Sequence, residues 1–228
     1  MRTRPLNIKG LRRNVKLWWL YLPIFAVVFP SRVPPRSGLF FEKLGAIVIT
    51  LRLRNGQRVR CRIRDSYPVF EVYGHRVYDD SLLKLTGCRT IVDIGANIGA
   101  ATLWLAECAP SSRIISLEPN EDALYFLNHN IRENLLLSRV SVVPGGVAGS
   151  STSGKIVDTM LSSTIGRAIP VGSDEAGGIA LLSLHDLMTI NNLDEIDLIK
   201  IDCEGAEFEF FSGASSDDLA RVQQVNSS

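Results

Sequence analysis

Three short segments put acids and glycines at the ends of apolar runs: residues 90–99 (TIVDIGANIG), 117–120 (LEPN) and 197–207 (DLIKIDCEGAE). In the first, an apolar strand over 91–94 runs into the turn Gly95 to Gly99 and then a helical stretch, GAATLWLAECA. Glycines suit a turn with unusual backbone angles and close helix-on-strand packing, and the free N–H groups of a helix start face a ligand. Glu118 follows a second strand over 113–117 and lies 19 residues beyond Gly99. An acid at that separation accepts hydrogen bonds from ribose hydroxyls, so the pattern reads as a nucleotide-type cofactor site.

A dinucleotide loop needs a second glycine where backbone meets pyrophosphate and a third one three residues later. Asn97 and Ala100 occupy those positions. S-Adenosylmethionine carries no pyrophosphate, and an acid near the loop such as Asp93 can orient its cationic amino-acid end. The loop therefore suits S-adenosylmethionine better than NAD, and a nicotinamide oxidoreductase ranks third among the readings.

The blocks VDIGANIG (92–99), EPN (118–120) and IDLIKIDCEGAE (196–207) resemble those of FkbM-type methyltransferases, and Phe70, Glu71 and Tyr78 extend the likeness upstream. The resemblance implies a Rossmann-like α/β fold, a mainly parallel sheet with flanking helices. It implies S-adenosyl-L-methionine as cofactor, held by Asp93, Gly95, Ala96, Asn97, Gly99, Glu118, Asn120 and Asp202. It also implies methyl transfer, often to a hydroxyl oxygen of a sugar, lipid or secondary-metabolite acceptor, including glycan or lipid-linked ones. Such a transfer is an in-line displacement that needs alignment and removal of the acceptor proton, which a carboxylate can do. Asp202 is the first candidate for contact with acceptor or cofactor methionine, Glu204 for acceptor binding or base work, and Glu207 for a supporting role in the helix turn. The runner-up reading is a noncatalytic Rossmann remnant that binds cofactor or a partner without turnover.

The elements that must position these residues begin before the first motif. Residues 1–43 form a basic and apolar extension, partly helical, whose stretch 12–30 is the one candidate for peripheral membrane contact. Its apolar run is too short to span a bilayer. Residues 44–80 form a hairpin and cap region: AIVITLRLRNGQRVRCRIRD alternates apolar and basic residues about Asn55 and Gly56. Its arginines 52, 54, 58, 60, 62 and 64 are expected on an exposed face, or as a receiver of an anionic acceptor if the hairpin covers the cofactor mouth.

Residues 81–228 form the Rossmann-like domain. Asn120 is a good N-cap for a helix carrying Leu124, Leu127 and Ile131 on one face, and strands follow at 140–143 and 196–201. Ser183 and Asp186 mark a short helix start, with His185 as a surface or capping residue. Residues 145–178 read as a long loop, and 219–225 as a fifth strand, short of the closing strands usual for the class. Lys200 is expected to pair with Asp202, Glu204 or Glu207.

A net charge of +1 with 46% hydrophobic residues gives no reason to expect nucleic acid. Cys61, Cys88, Cys108 and Cys203 form no CxxC pair and share no ligand spacing with the three histidines, so no metal is expected. All four read as small, partly buried thiols of a reducing compartment, which favours the cytoplasm.

Overall fold

A computed structural model describes residues 43–75, 78, 83–158, 166–170, 178–203 and 205–227. The expectations for residues 1–42, including membrane contact through 12–30, and for Glu204 lie outside these residues. Among the described residues no helix is long and apolar enough to cross a membrane.

Among the described residues the first strands are β1 (Val48–Arg52) and β2 (Arg58–Arg62), paired antiparallel with Arg52 opposite Arg58. Leu53 and Gln57 close the turn through a backbone bond of 2.9 Å, and Gly56 takes φ +91°. A three-residue loop ending in a left-handed residue is a common hairpin solution, so the Asn55-Gly56 signal led to the right structure. A short 3-10 turn, helix α1 (Tyr67–Phe70) and a π-helical turn (Glu71–His75) follow.

The core sheet contains β3 (Thr90–Ile94), β4 (Arg113–Glu118), β5 (Val140–Pro144), β10 (Leu198–Ile201) and β11 (Val225–Ser227), all parallel, in the order β11-β10-β3-β4-β5. Parallel strands covered on both faces must be apolar almost throughout, and β10 and the last four residues of β3 are fully buried. Helices α2 (Ala100–Cys108) and α3 (Glu121–Glu133) connect β3 to β4 and β4 to β5. One face of the sheet, with Ile91, Ile114 and Leu198, packs against Leu103, Phe126 and Leu127. The opposite face, with Val92, Ile115 and Ile199, packs against α4 (Leu184–Ile190) and α5 (Glu207–Ser212) through Leu187 and Phe210. The order reverses between β3 and β10, which is where an open α/β sheet presents its ligand crevice.

The N-caps fall where the sequence places them. The Asn120 carboxamide oxygen accepts from the N–H groups of Asp122 and Ala123 at 2.9 and 3.2 Å, and Ser183 Oγ accepts from Asp186 N at 3.1 Å.

Two expectations need correction. Residues 145–178 are not a plain loop: β6 (Gly146–Val147), β7 (Thr152–Asp158) and β8 (Gly166–Pro170) join β9 (Ile179–Leu182) in a second sheet of order β6-β9-β7-β8. Small polar residues in TSGKIVD and GRAIP hide the two-residue period from a hydrophobic pattern. The fifth strand also starts later than expected. Leu219 ends helix α6 (Ser216–Leu219), Val222 makes a single bridge to Ile196, and pairing along β10 begins at Val225.

The hairpin packs along α3. Asn130 accepts from Arg60 N at 2.7 Å and donates to Arg60 O at 3.0 Å and Ile98 O at 2.8 Å. One turn on, Asn134 accepts from Arg58 N and donates to Arg58 O. Two carboxamides thus satisfy the outer backbone edge of β2 as a neighbouring strand would. The arginines follow the same logic. Arg62 grips Asp122 with two nitrogens at 2.9 and 3.0 Å above the Phe126 ring, and Arg58 meets Glu133 at 2.7 Å. Two arginines of the expected basic face are thus paired with acids of α3, while Arg52 and Arg54 are exposed.

Candidate active site

A cavity of about 350 Å³ opens beyond the carboxyl ends of β3, β4 and β10. Its floor is Gly95, Ala96 and Asn97. Glu118, Pro119, Gly146 and Val147 form one end, and Lys200, Asp202, Cys203 and Ala206 form the other. Tyr67, Pro68, Glu71, Val72 and Tyr78 cover it from the segment after the hairpin. None of the hairpin arginines lines it.

The floor is shaped by backbone conformations few residues tolerate. Gly95, Asn97 and Gly99 take φ values of +74°, +51° and +92°. Asn97 is the non-glycine that tolerates this region best, and its carboxamide oxygen accepts from Ile98 N at 2.8 Å. Gly95 has a second constraint, since a Cβ there would lie 2.0 Å from the carbonyl oxygen of Asp202. The two motifs therefore meet backbone to backbone, with Asp202 N donating to Ile94 O at 3.1 Å. At Gly99, which starts α2, a Cβ would meet Leu127 Cδ1 at 2.8 Å, so the close approach is to α3 and not to a strand as expected.

Glu118 is buried at the end of β4. Its two oxygens accept from Asn97 N and Asn120 N, each at 2.8 Å. Burial outweighs these two donors and raises its pKa from 4.5 to about 7. Each oxygen keeps a free lone pair, so the ionised carboxylate can accept two hydrogen bonds from hydroxyls.

Asp93 and Lys200 form a buried ion pair. Parallel register puts Lys200 beside Asp93 and Asp93 beside Ser116. Lys200 Nζ lies 3.1 Å from Asp93 Oδ1 and donates to Gly95 O at 3.3 Å. Asp93 Oδ2 accepts from Thr102 Oγ1 at 2.6 Å, and that hydroxyl lies 3.0 Å from Ser116 Oγ. Burial disfavours the Lys200 ammonium, but Asp93, with Tyr78 and Asp202, outweighs it and raises the lysine pKa. The partner of Lys200 is thus Asp93, not an acid of the 202–207 cluster.

The residues singled out in the sequence separate accordingly. Gly95, Ala96, Asn97, Glu118 and Asp202 line the cavity, Asp202 as an exposed side chain at its rim. Asp93 is fully buried and presents no surface to it. Gly99 and Asn120 support it from outside, Asn120 by capping α3 and holding Glu118. Glu207 Oε1 accepts from Cys203 N at 2.9 Å and braces the turn after Asp202, as expected. His185 faces Asp218 at 3.4 Å and is remote from the cavity lining. Cys108 is exposed, unlike the partly buried thiol expected, because it ends α2.

Tyr67, Glu71 and Tyr78 are site residues that sequence reasoning left without a role. The only signal was the weak upstream block of Phe70, Glu71 and Tyr78. Glu71 sits in the π-helical turn, half-buried and hydrogen-bonded to Tyr67. Burial raises its pKa, the Tyr67 bond opposes that, and Asp202 reinforces it. Glu71, Glu118 and Asp202 thus give the lining three carboxylates against one ammonium, which Asp93 already neutralises.

The parallel sheet, whose strand order reverses at an acid-lined crevice, defines a Rossmann-like α/β fold. Residues 93–226 match the methyltransferase FkbM domain, and the chain belongs to that family. It is similar to methyltransferase sdnD of Sordaria araneosa, 27% identical over 68% of this chain and 71% of that protein. It is also 25% identical to part of the AMB antimetabolite synthetase AmbE of Pseudomonas aeruginosa, over 70% of this chain but 9% of that protein. Among solved structures, the precorrin-6y C5,15-methyltransferase of Geobacter metallireducens superimposes with a TM-score of 0.35 at 15% identity. That match covers 60% of this chain and 52% of that one.

Proposed function

We propose that the cavity binds S-adenosyl-L-methionine and that the protein methylates a hydroxyl oxygen of a small sugar, lipid or secondary-metabolite acceptor. The observation that carries the cofactor reading is the charge of the lining. Among the described residues the cavity offers no unneutralised cation to a pyrophosphate, while three carboxylates favour a ligand bearing positive charge. Buried Glu118 and the short-range donors around it match a ribose at the β4 end. Gly146 and Val147, apolar and just beyond it, suit the flat face of a base.

When bound, S-adenosylmethionine supplies a methyl group on a sulfonium that leaves as a neutral thioether once the acceptor oxygen displaces it. The protein's part is alignment, exclusion of water and a destination for the acceptor proton. Asp202, exposed at the rim and fixed by its backbone bond to β3, is suited to take that proton. Glu204 remains the second candidate on sequence grounds. Support for oxygen as the methylated atom comes from the family resemblance.

Calorimetric titration with S-adenosylmethionine, S-adenosylhomocysteine and NAD tests the reading. The expected result is saturable binding of the first two, loss in Glu118→Ala and no binding of NAD. Binding of NAD alone overturns it. Cofactor binding without transfer to any of a panel of hydroxylated acceptors would favour the noncatalytic reading instead.

A further inference from the structure

We propose that Glu71, positioned by Tyr67, holds the ammonium group at the amino-acid end of the methyl donor, in the role that the Asp93 position suggested from sequence. This rests on the cofactor reading above and assigns a residue within that site. Asp93 lies nearest the glycine turn in sequence, yet its Oδ1 is ion-paired with Lys200, its Oδ2 accepts from Thr102, and it has no cavity surface. An ammonium arriving in the cavity cannot reach it without breaking a buried ion pair.

Where that ammonium must lie follows from the sheet. The ribose acid Glu118 ends β4, and Gly146 and Val147 extend that side, so a nucleoside occupies the β4 end. The other end of an extended ligand then crosses β3 at Gly95 and arrives beside β10. The carboxylates lining that end are Asp202, at the rim and assigned to acceptor chemistry, and Glu71, under the cover. Glu71 is within electrostatic reach of both Asp202 and Lys200, and from its π-helical turn it lines the cavity. π-Helical turns recur at functional sites because they displace one side chain from helical register. Tyr67, one turn earlier on α1, donates its hydroxyl to Glu71 and fixes the carboxylate. The segment preceding the Rossmann unit thereby becomes part of the cofactor site.

The test compares S-adenosylhomocysteine, which carries the ammonium, with 5′-methylthioadenosine, which shares the nucleoside and thioether but lacks the amino acid. Calorimetry on the full chain and on Glu71→Gln and Tyr67→Phe reads both ligands, and thermal melts confirm that the variants fold. The expected result is a loss of about ten- to a hundredfold in homocysteine-adduct affinity for Glu71→Gln, the weight of one charged hydrogen bond, with methylthioadenosine unchanged. Tyr67→Phe should show a smaller loss in the same ligand only. Equal weakening of both ligands, or of neither, overturns the assignment. A wild-type protein that binds neither ligand overturns the cofactor reading itself.

Discussion

Lys200 on β10 and Asp93 on β3 face each other at 3.1 Å inside the sheet, one step before each strand opens into the cavity. The pair joins the two signature motifs from within. It holds the carbonyl of Gly95 through the same ammonium, so a charge interaction in the core sets the height of the cavity floor.

Removing one member should be far worse than removing both. Lys200→Met leaves a buried carboxylate without its counter-charge and should cost about 3–5 kcal/mol. The double variant Lys200→Met, Asp93→Asn should recover a substantial part of that loss. Urea denaturation of the two singles and the double gives the coupling energy, and additive losses would show that the pair is not energetically linked.

Gly95 and Gly99 are predicted to differ in their tolerance of alanine. At Gly95 the added methyl meets a backbone carbonyl at 2.0 Å, and separating β3 from β10 is the only relief. At Gly99 it meets the tip of the Leu127 side chain at 2.8 Å, which can rotate. Both positions carry the strain of positive φ, about 1 kcal/mol or more. Gly95→Ala should therefore abolish S-adenosylhomocysteine binding and lower the melting temperature more than Gly99→Ala.

Asn130 connects three parts of the molecule: β2, α3 and the glycine turn. Asn130→Ala strands the Arg60 N–H and the Ile98 carbonyl, and each buried orphan costs about 1–3 kcal/mol. Chemical denaturation should show a loss on that order. Hydrogen exchange should show the hairpin opening without the sheet.

Glu118 makes stability and cofactor affinity respond oppositely to pH. Its folded-state pKa of about 7 lies above its ordinary value of 4.5. Between these values the folded protein keeps a proton that the unfolded chain has released, so stability is highest below the ordinary value. It declines as pH rises through about 7, by on the order of 3 kcal/mol. Glu118→Gln should flatten that slope in melts taken across pH 4 to 8. A ligand whose hydroxyls donate hydrogen bonds to Glu118 favours the ionised form, so wild-type S-adenosylhomocysteine affinity should rise across the same interval and level off above it. Calorimetry in buffers of different ionisation enthalpy would register the released proton.

What was legible in the sequence is what local chemistry dictates. Glycine where φ must be positive, apolar runs where a strand is covered on both faces, Asn120 and Ser183 at helix starts, and Asn55-Gly56 at a hairpin turn each follow from constraints within a few residues. The order of the three motifs was enough for the family. Strands 152–158 and 166–170 were missed because pairing, and not side-chain hydrophobicity, makes them strands. The roles within the site were decided by tertiary structure, because they depend on register and on approach between distant segments. Parallel pairing of β3 with β10 gave Asp93 to Lys200 and withdrew it from the cavity, and packing of the hairpin on α3 engaged its arginines with Asp122 and Glu133. The same packing carried Tyr67 and Glu71 over the mouth of the cavity. A charge in a sequence has no fixed partner until the fold sets the distances, and electrostatic energy depends on distance and burial.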